Sequence, residues 1–258
     1  MTFVIAEAAS THDGSLEKAL RLVDIAADAG ANCCKFQFWS DADRLAARRG
    51  ADKYRDIYRR YQMPPAWLRV LSDACNEREM EFMCTTFLPE DIAVVEPFVE
   101  GFKVASFEAG DSAFLDAHDA FNKPVVVSTG MMDWDAVDAI VNRVSNLHAL
   151  LHCVSAYPCG KPDLSVVTAM RARYDVRVGF SDHTANVLTG ALAVAAGAHA
   201  VEVHFKAPDT DPLNPDCAVA VPDLAAYVAN IRYAERMMGD GVKRATTEEA
   251  EMMKYRVA

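Results

Sequence analysis

The chain has 258 residues, 52% hydrophobic and 24% charged, which suits one globular domain of α/β-barrel length, and no apolar run approaches the ~20 residues of a membrane-spanning helix. With 26 basic against 37 acidic residues the formal charge is -11, so no basic excess exists to displace counterions, which argues against nucleic-acid and anionic-membrane partners. The opening MTFVIAEAAS has no basic leader and reads as a first strand, so a cytoplasmic protein is expected. Seven cysteines without a CxxC pair are expected as reduced, mostly packed thiols.

Along the chain, short apolar runs alternate with amphipathic stretches eight times. FVIAEA, from Phe3, ends near Glu7, with His12 just beyond. SLEKALRLVDIAADAG follows as a helix, with Ser15 as N-cap and Gly30 as a left-handed terminator. CCKFQF alternates Cys33, Lys35 and Gln37 on one strand face. The stretch RRGADKYRDIYRR at 48–60 mixes charge signs with aromatics and is expected to be a solvated or oligomer-facing loop helix rather than a lid. EFMCTTF then ends in Thr85 and Thr86, and GFKVAS carries Lys103 and Ser106, with Glu108 next. PVVVST closes on Ser128 and Thr129, and ALLHCVS leads to Ser155 and Tyr157. VRVGFS runs into Ser181, Asp182 and His183, TANVLTGALAVAAG repeats the helix grammar up to Gly197, and AVEVHF carries Glu202 and His204.

Eight such units predict a closed (β/α)8 TIM barrel over residues 1–240, with 241–258 as a tail or the start of a linker. An open doubly wound sheet is the alternative, but no GxGxxG turn follows the first run. Barrel active sites collect at the C-terminal strand ends, where these polar residues recur.

His183 and His204 stand one helix plus one strand apart, so they end neighbouring strands at similar height. Strands lie about 4.8 Å apart, and two imidazoles at that spacing can share a cation at bonds of about 2.0 to 2.2 Å. Each can equally be a hydrogen-bonded core residue. A two-histidine site with open positions suits Mn²⁺, Fe²⁺ or Co²⁺ better than a closed structural zinc. Asp182 would then orient an imidazole. Lys35 and Lys103 enter an apolar barrel and need anions. These are either a phosphate or carboxylate of a substrate, aided by Thr85, Ser106, Ser128 and Ser181, or structural partners, Glu7 for Lys35 and Glu108 for Lys103. Glu7 reads as a general base or as an ion-pair partner.

The ordered set IAEAASTHDGS, KFQ, FKVAS, VVVSTGM, LLHCVSAYP, VGFSDHT and VEVHF resembles the sialic acid synthase (N-acetylneuraminate synthase) family through nearly the whole chain. The resemblance implies an enzyme that joins phosphoenolpyruvate to an aldose such as N-acetylmannosamine, giving a 2-keto-3-deoxy sugar acid and phosphate. It implies a divalent metal, usually Mn²⁺, with Mg²⁺, Co²⁺ or Fe²⁺ as substitutes, held by His183 and His204. The catalytic glutamate falls on Glu7, and phosphoenolpyruvate contacts fall on Lys35, Thr85, Lys103, Ser106, Ser128, Ser155 and Ser181. Gln37, Glu108, Tyr157 and Asp216 take sugar-side positions.

Three departures stand out: THDG with Thr11 and Asp13 for the family's Asn-His-Asn-Gly, PLNPD for its Pro-Gly-Pro-Asp, and Ser155 for an asparagine. Typical members also continue into a small antifreeze-like domain that reaches the partner subunit's site, whereas this sequence stops about where that linker begins. The expected partners are therefore a second copy of the chain or a separate chain supplying that domain. A lysine Schiff-base aldolase on the same barrel and a catalytically silent sugar-phosphate-binding or scaffold barrel are the rival readings.

Overall fold

A computed structural model describes residues 1–257, so Ala258, the last residue of the expected tail, lies outside it. The eight expected runs all become strands: β1 (Phe3–Ala9), β2 (Cys33–Phe38), β3 (Glu81–Thr86), β4 (Phe102–Val104), β5 (Val125–Ser128), β6 (Leu147–His152), β7 (Arg177–Asp182) and β8 (Ala200–His204). They close in chain order into a parallel barrel, with β8 paired to β1. Around it lie α1 (Leu16–Asp28), α2 (Ala42–Arg48), α3 (Arg55–Tyr61), α4 (Ala66–Glu77), α5 (Pro89–Val95), α6 (Ser112–Asp119), α7 (Trp134–Arg143), α8 (Ser165–Arg173), α9 (Thr189–Ala195) and α10 (Leu224–Met238). None of the described helices is long and apolar enough to cross a membrane. Beyond α10 the described residues are exposed and form only two short 3-10 turns.

The helix signals act as expected at α1. The Ser15 side chain accepts from the Lys18 amide, and Gly30 adopts φ 80°, a conformation that a residue with a Cβ enters only with strain. The helix expected from Thr184 instead begins at Thr189. Thr184 and Thr189 join hydroxyls at 2.8 Å, and the Asn186 side chain accepts from the Leu188 amide, so local polar contacts hold these residues in a loop.

Strand alternation builds two cores. Outward residues such as Val4, Phe36, Phe102, Val127, Phe180 and Val203 pack under the helices in one large cluster. Inward residues change character along the barrel axis. Ile5, Cys33, Met83, Val126, Ala149 and Leu151 form a small apolar plug, and the inward positions nearer the C-terminal ends are Glu7, Lys35, Thr85, Lys103, Ser128, Ser181, Glu202 and His204. The period of two therefore delivers a dry floor below and a polar chamber above.

Gly179 marks how tight this interior is. A Cβ there would collide with the Ala200 carbonyl oxygen and the Leu151 side chain. Gly179→Ala should cost about 3 kcal/mol through overpacking, read as a lowered denaturant midpoint; an unchanged midpoint would show that β7 and β8 have slack.

Thr86 points outward, its hydroxyl 3.1 Å from Nε2 of buried His118, whose Nδ1 donates to the Phe114 carbonyl at 2.8 Å. Burial pulls His118 from the ordinary 6.5 to about 4. The unfolded chain takes up a proton near 6.5 that the folded chain refuses until about 4, so stability falls as pH drops through that window. His118→Leu should remove about one proton from the slope of stability against pH between those limits; an unaltered slope would assign it to other groups.

Candidate active site

The polar chamber opens at the C-terminal strand ends as a cavity of about 210 Å³. Its floor is set by register. Glu7 on β1 faces His204 on β8 and Lys35 on β2, while Thr85 on β3 faces Lys103 on β4. The Lys35 ammonium contacts the Glu7 carboxylate, donates to Thr85 Oγ1 at 3.1 Å and lies 3.4 Å from Glu202 Oε2. Lys103 donates to Ser128 Oγ at 2.8 Å and lies 3.6 Å from the same Glu202 oxygen, while Ser181 donates to Glu202 Oε1 at 2.8 Å. Glu202 thus sits between both lysines, the role that the sequence-level pairing of Lys103 with Glu108 had assigned elsewhere. The signal for it was present, since Glu202 shares a strand face with His204 two residues on.

Burial alone would raise the Glu202 carboxyl, yet the Lys103 and Lys35 charges hold it well below the usual carboxylate range. Burial draws Lys35 down to about 8 against the pull of Glu202. Two lysines and two carboxylates thus share one buried cluster.

The two histidines meet as the strand positions predict, with ring centroids 5.4 Å apart. Nδ1 of His183 lies 2.9 Å from the Val154 carbonyl, which can only accept, so the neutral ring carries its proton there and keeps a lone pair on Nε2. Burial lowers both imidazoles, and at His204 the neighbouring His183 adds to it, so both rings are neutral near pH 7. The buried Nδ1 of His204 and Oε1 of Glu7 have no hydrogen-bond partner. These orphaned acceptors beside a free Nε2 fit a divalent cation bound by imidazole. Among the described residues no set of three His, Cys, Asp or Glu side chains converges as a cage.

Asp182 does not orient His183. Its Oδ2 accepts from Tyr227 on α10 at 2.8 Å and its Oδ1 from the Thr184 amide at 2.8 Å, which ties the β7 end to the outer helix. The Val154 carbonyl orients the imidazole instead.

Asp216 reaches the cavity because two loops are laced together. Its Oδ2 accepts from the Ser10 hydroxyl at 2.5 Å and the Ser10 amide at 3.0 Å. Asn214 donates to the Ser10 carbonyl at 2.8 Å and to Asp13, which also accepts from the Asp211 amide at 2.8 Å. The unusual Asp13 and Asn214 are therefore braces of the loops after β1 and β8, and Thr11 braces them further by donating to the Ala8 carbonyl.

Gln37, Ser106, Ser128 and Tyr157 also line the cavity. Two expected residues do not. Ser155 turns against Gly130, where its Oγ occupies the space that a Cβ would need. Glu108 is buried behind the wall, where its Oε1 accepts from Arg49 Nη2 at 2.6 Å and Nε at 3.0 Å. Arg49 itself lines the cavity with Ile57, Tyr58 and Tyr61, so the basic stretch at 48–60 is partly a wall of the site and not only a solvated helix. Ile57, Tyr58 and Tyr61 share one face of α3 and Arg49 caps α2, so it is the placement of this short helix pair over the barrel mouth, which spacing along the chain does not give, that turns them inward.

The geometry has close counterparts. Pseudaminic acid synthase of Campylobacter jejuni is 30% identical over 93% of this chain and 75% of its own length. N,N'-diacetyllegionaminic acid synthase of Legionella pneumophila is 30% identical over 96% of this chain and 76% of its own. The structure of N-acetylneuraminic acid (sialic acid) synthetase from Leptospira borgpetersenii, in complex with citrate, superposes with a TM-score of 0.89 at 28% identity, covering 99% of this chain and 91% of that one. The NeuB family model matches residues 22–243, from within α1 through β8 and α10, and with these relatives it establishes that the chain belongs to the NeuB family.

Proposed function

We propose that the protein condenses phosphoenolpyruvate with the aldehyde of an aldose, giving a 2-keto-3-deoxy sugar acid and inorganic phosphate. The observation that carries this reading is the cavity floor, where Lys35 and Lys103 stand beside two neutral, level imidazoles and a ring of hydroxyls. Membership of a family whose relatives are named as synthases of such acids supports it.

Lys35 and Lys103, with Thr85, Ser106, Ser128 and Ser181, would hold the phosphate and carboxylate of the enol phosphate and fix its C3 towards the aldehyde carbon. Such positioning is itself a large part of catalysis. His183 and His204 would hold a divalent cation, Mn²⁺ suiting the donor set, which supplies Lewis acidity at the aldehyde oxygen. C3 forms the new C–C bond, water adds at C2, and phosphate leaves with its C–O bond broken. Glu7, whose Oε1 has no partner and which pairs in register with His204, would take the proton of that water. Asp216, Gln37 and Tyr157 would contact the aldose hydroxyls.

One observation favours a second chemistry on the same barrel: the Lys35 amine drawn down to about 8 suits Schiff-base formation. Borohydride with a keto-acid substrate would then label Lys35, and a chelator would leave turnover untouched.

Phosphate release from phosphoenolpyruvate should depend on an aldose and on added Mn²⁺, and should stop with EDTA; release that continues under chelation would reject the metal. His183→Ala and His204→Ala should each lower metal affinity and turnover together by at least about 100-fold, measured by metal titration and initial rates. Glu7→Gln should cut turnover by about 100-fold or more with phosphoenolpyruvate affinity little changed; normal turnover would remove Glu7 from the proton path.

A further inference from the structure

Three cations face the cavity, Lys35, Lys103 and Arg49, and each already has a carboxylate partner. The two lysines lie on strands, at the depth where the enol phosphate would sit. Arg49 caps α2 above them and, among the described residues lining the cavity, is the one cation that does not come from a strand. Its guanidinium lies 4.6 Å from the Phe87 ring centroid and 5.5 Å from that of Phe107, an apolar surround that strengthens whatever charge is left uncompensated.

That charge is cancelled. Both Nε and Nη2 of Arg49 donate to one oxygen of Glu108, whose side chain is 3% exposed and has no other partner. The adjoining groove repeats the pattern, with Arg48 held by Asp111 at 2.6 Å. Asp216 adds a carboxylate to the lining of the same cavity. An anionic group brought here would face Asp216 and could gain Arg49 only by displacing a buried carboxylate that has nowhere else to pair.

We propose that the Arg49–Glu108 pair sets acceptor specificity: Glu108 neutralises the one cation of the upper wall, so the site accepts an uncharged aldose and rejects its phosphorylated form. This deepens the condensation reading above and rests on it for the word acceptor. Glu108 is a positioning residue that acts through Arg49.

The test compares matched aldoses, free and phosphorylated on the terminal carbon. It reads kcat/KM for phosphate release from phosphoenolpyruvate and, separately, calorimetric binding of each sugar to protein saturated with Mn²⁺ in the absence of phosphoenolpyruvate, so that no turnover contributes heat. Wild-type protein should prefer the free sugar by about 100-fold. Glu108→Gln should shrink that preference at least tenfold by tightening the phosphorylated sugar, through KM more than kcat, whereas Glu108→Asp should retain it. A wild-type preference for the phosphorylated sugar overturns the proposal whether or not the variants fold, and so does a folded Glu108→Gln protein with unchanged affinity for it. No phosphate release with any sugar, alongside the Glu108→Gln gain in binding, would sink the condensation reading and leave the specificity assignment standing.

Discussion

Two lysines and two carboxylates share the polar upper half of the barrel, and the groups around them are arranged to accommodate them. Lys35 contacts Glu7 and Glu202, and Lys103 lies beside Glu202, so each buried amine has a carboxylate to offset its loss of hydration. Parallel register brings them together: β1 sets Glu7 between Lys35 and His204, and β8 returns Glu202 beneath them. The hydroxyls of Thr85, Ser128 and Ser181 complete the hydrogen bonds that the ions need. The floor is thus cross-linked from strand to strand by ion pairs and hydrogen bonds.

The outer layers keep this floor in place. Tyr227 anchors Asp182 from α10, and the Val154 carbonyl turns His183 so that its free nitrogen faces His204. The loops after β1 and β8 are stitched by Asp13, Asn214 and Ser10, which delivers Asp216 to the wall. These loops differ in sequence from the family pattern, yet their polar groups satisfy one another. The departures at Asp13 and Asn214 therefore lie in the bracing of the wall.

The upper wall has a different logic. It is aromatic, with one guanidinium whose charge is absorbed from behind by Glu108. Floor and wall thus hold charge differently, the floor sharing two lysines between two carboxylates and the wall pairing one guanidinium with a single carboxylate behind it.

Much of this was legible from the residues in order. Eight apolar runs with strand period named the barrel, and the same period marked Glu7, Lys35, Lys103, Ser181 and His204 as inward at the functional end, because side-chain direction in a strand is a local property. The sequence by itself determined which chemical groups reach the chamber from the strands. Tertiary structure alone decided their pairing: Lys103 with Glu202 rather than Glu108, Asp182 with Tyr227 rather than His183, and Ser155 turned to Gly130. It also brought Arg49 into the wall. Such partners lie on different strands, helices and loops, and their distances follow from barrel stagger and loop path, which no spacing along the chain encodes.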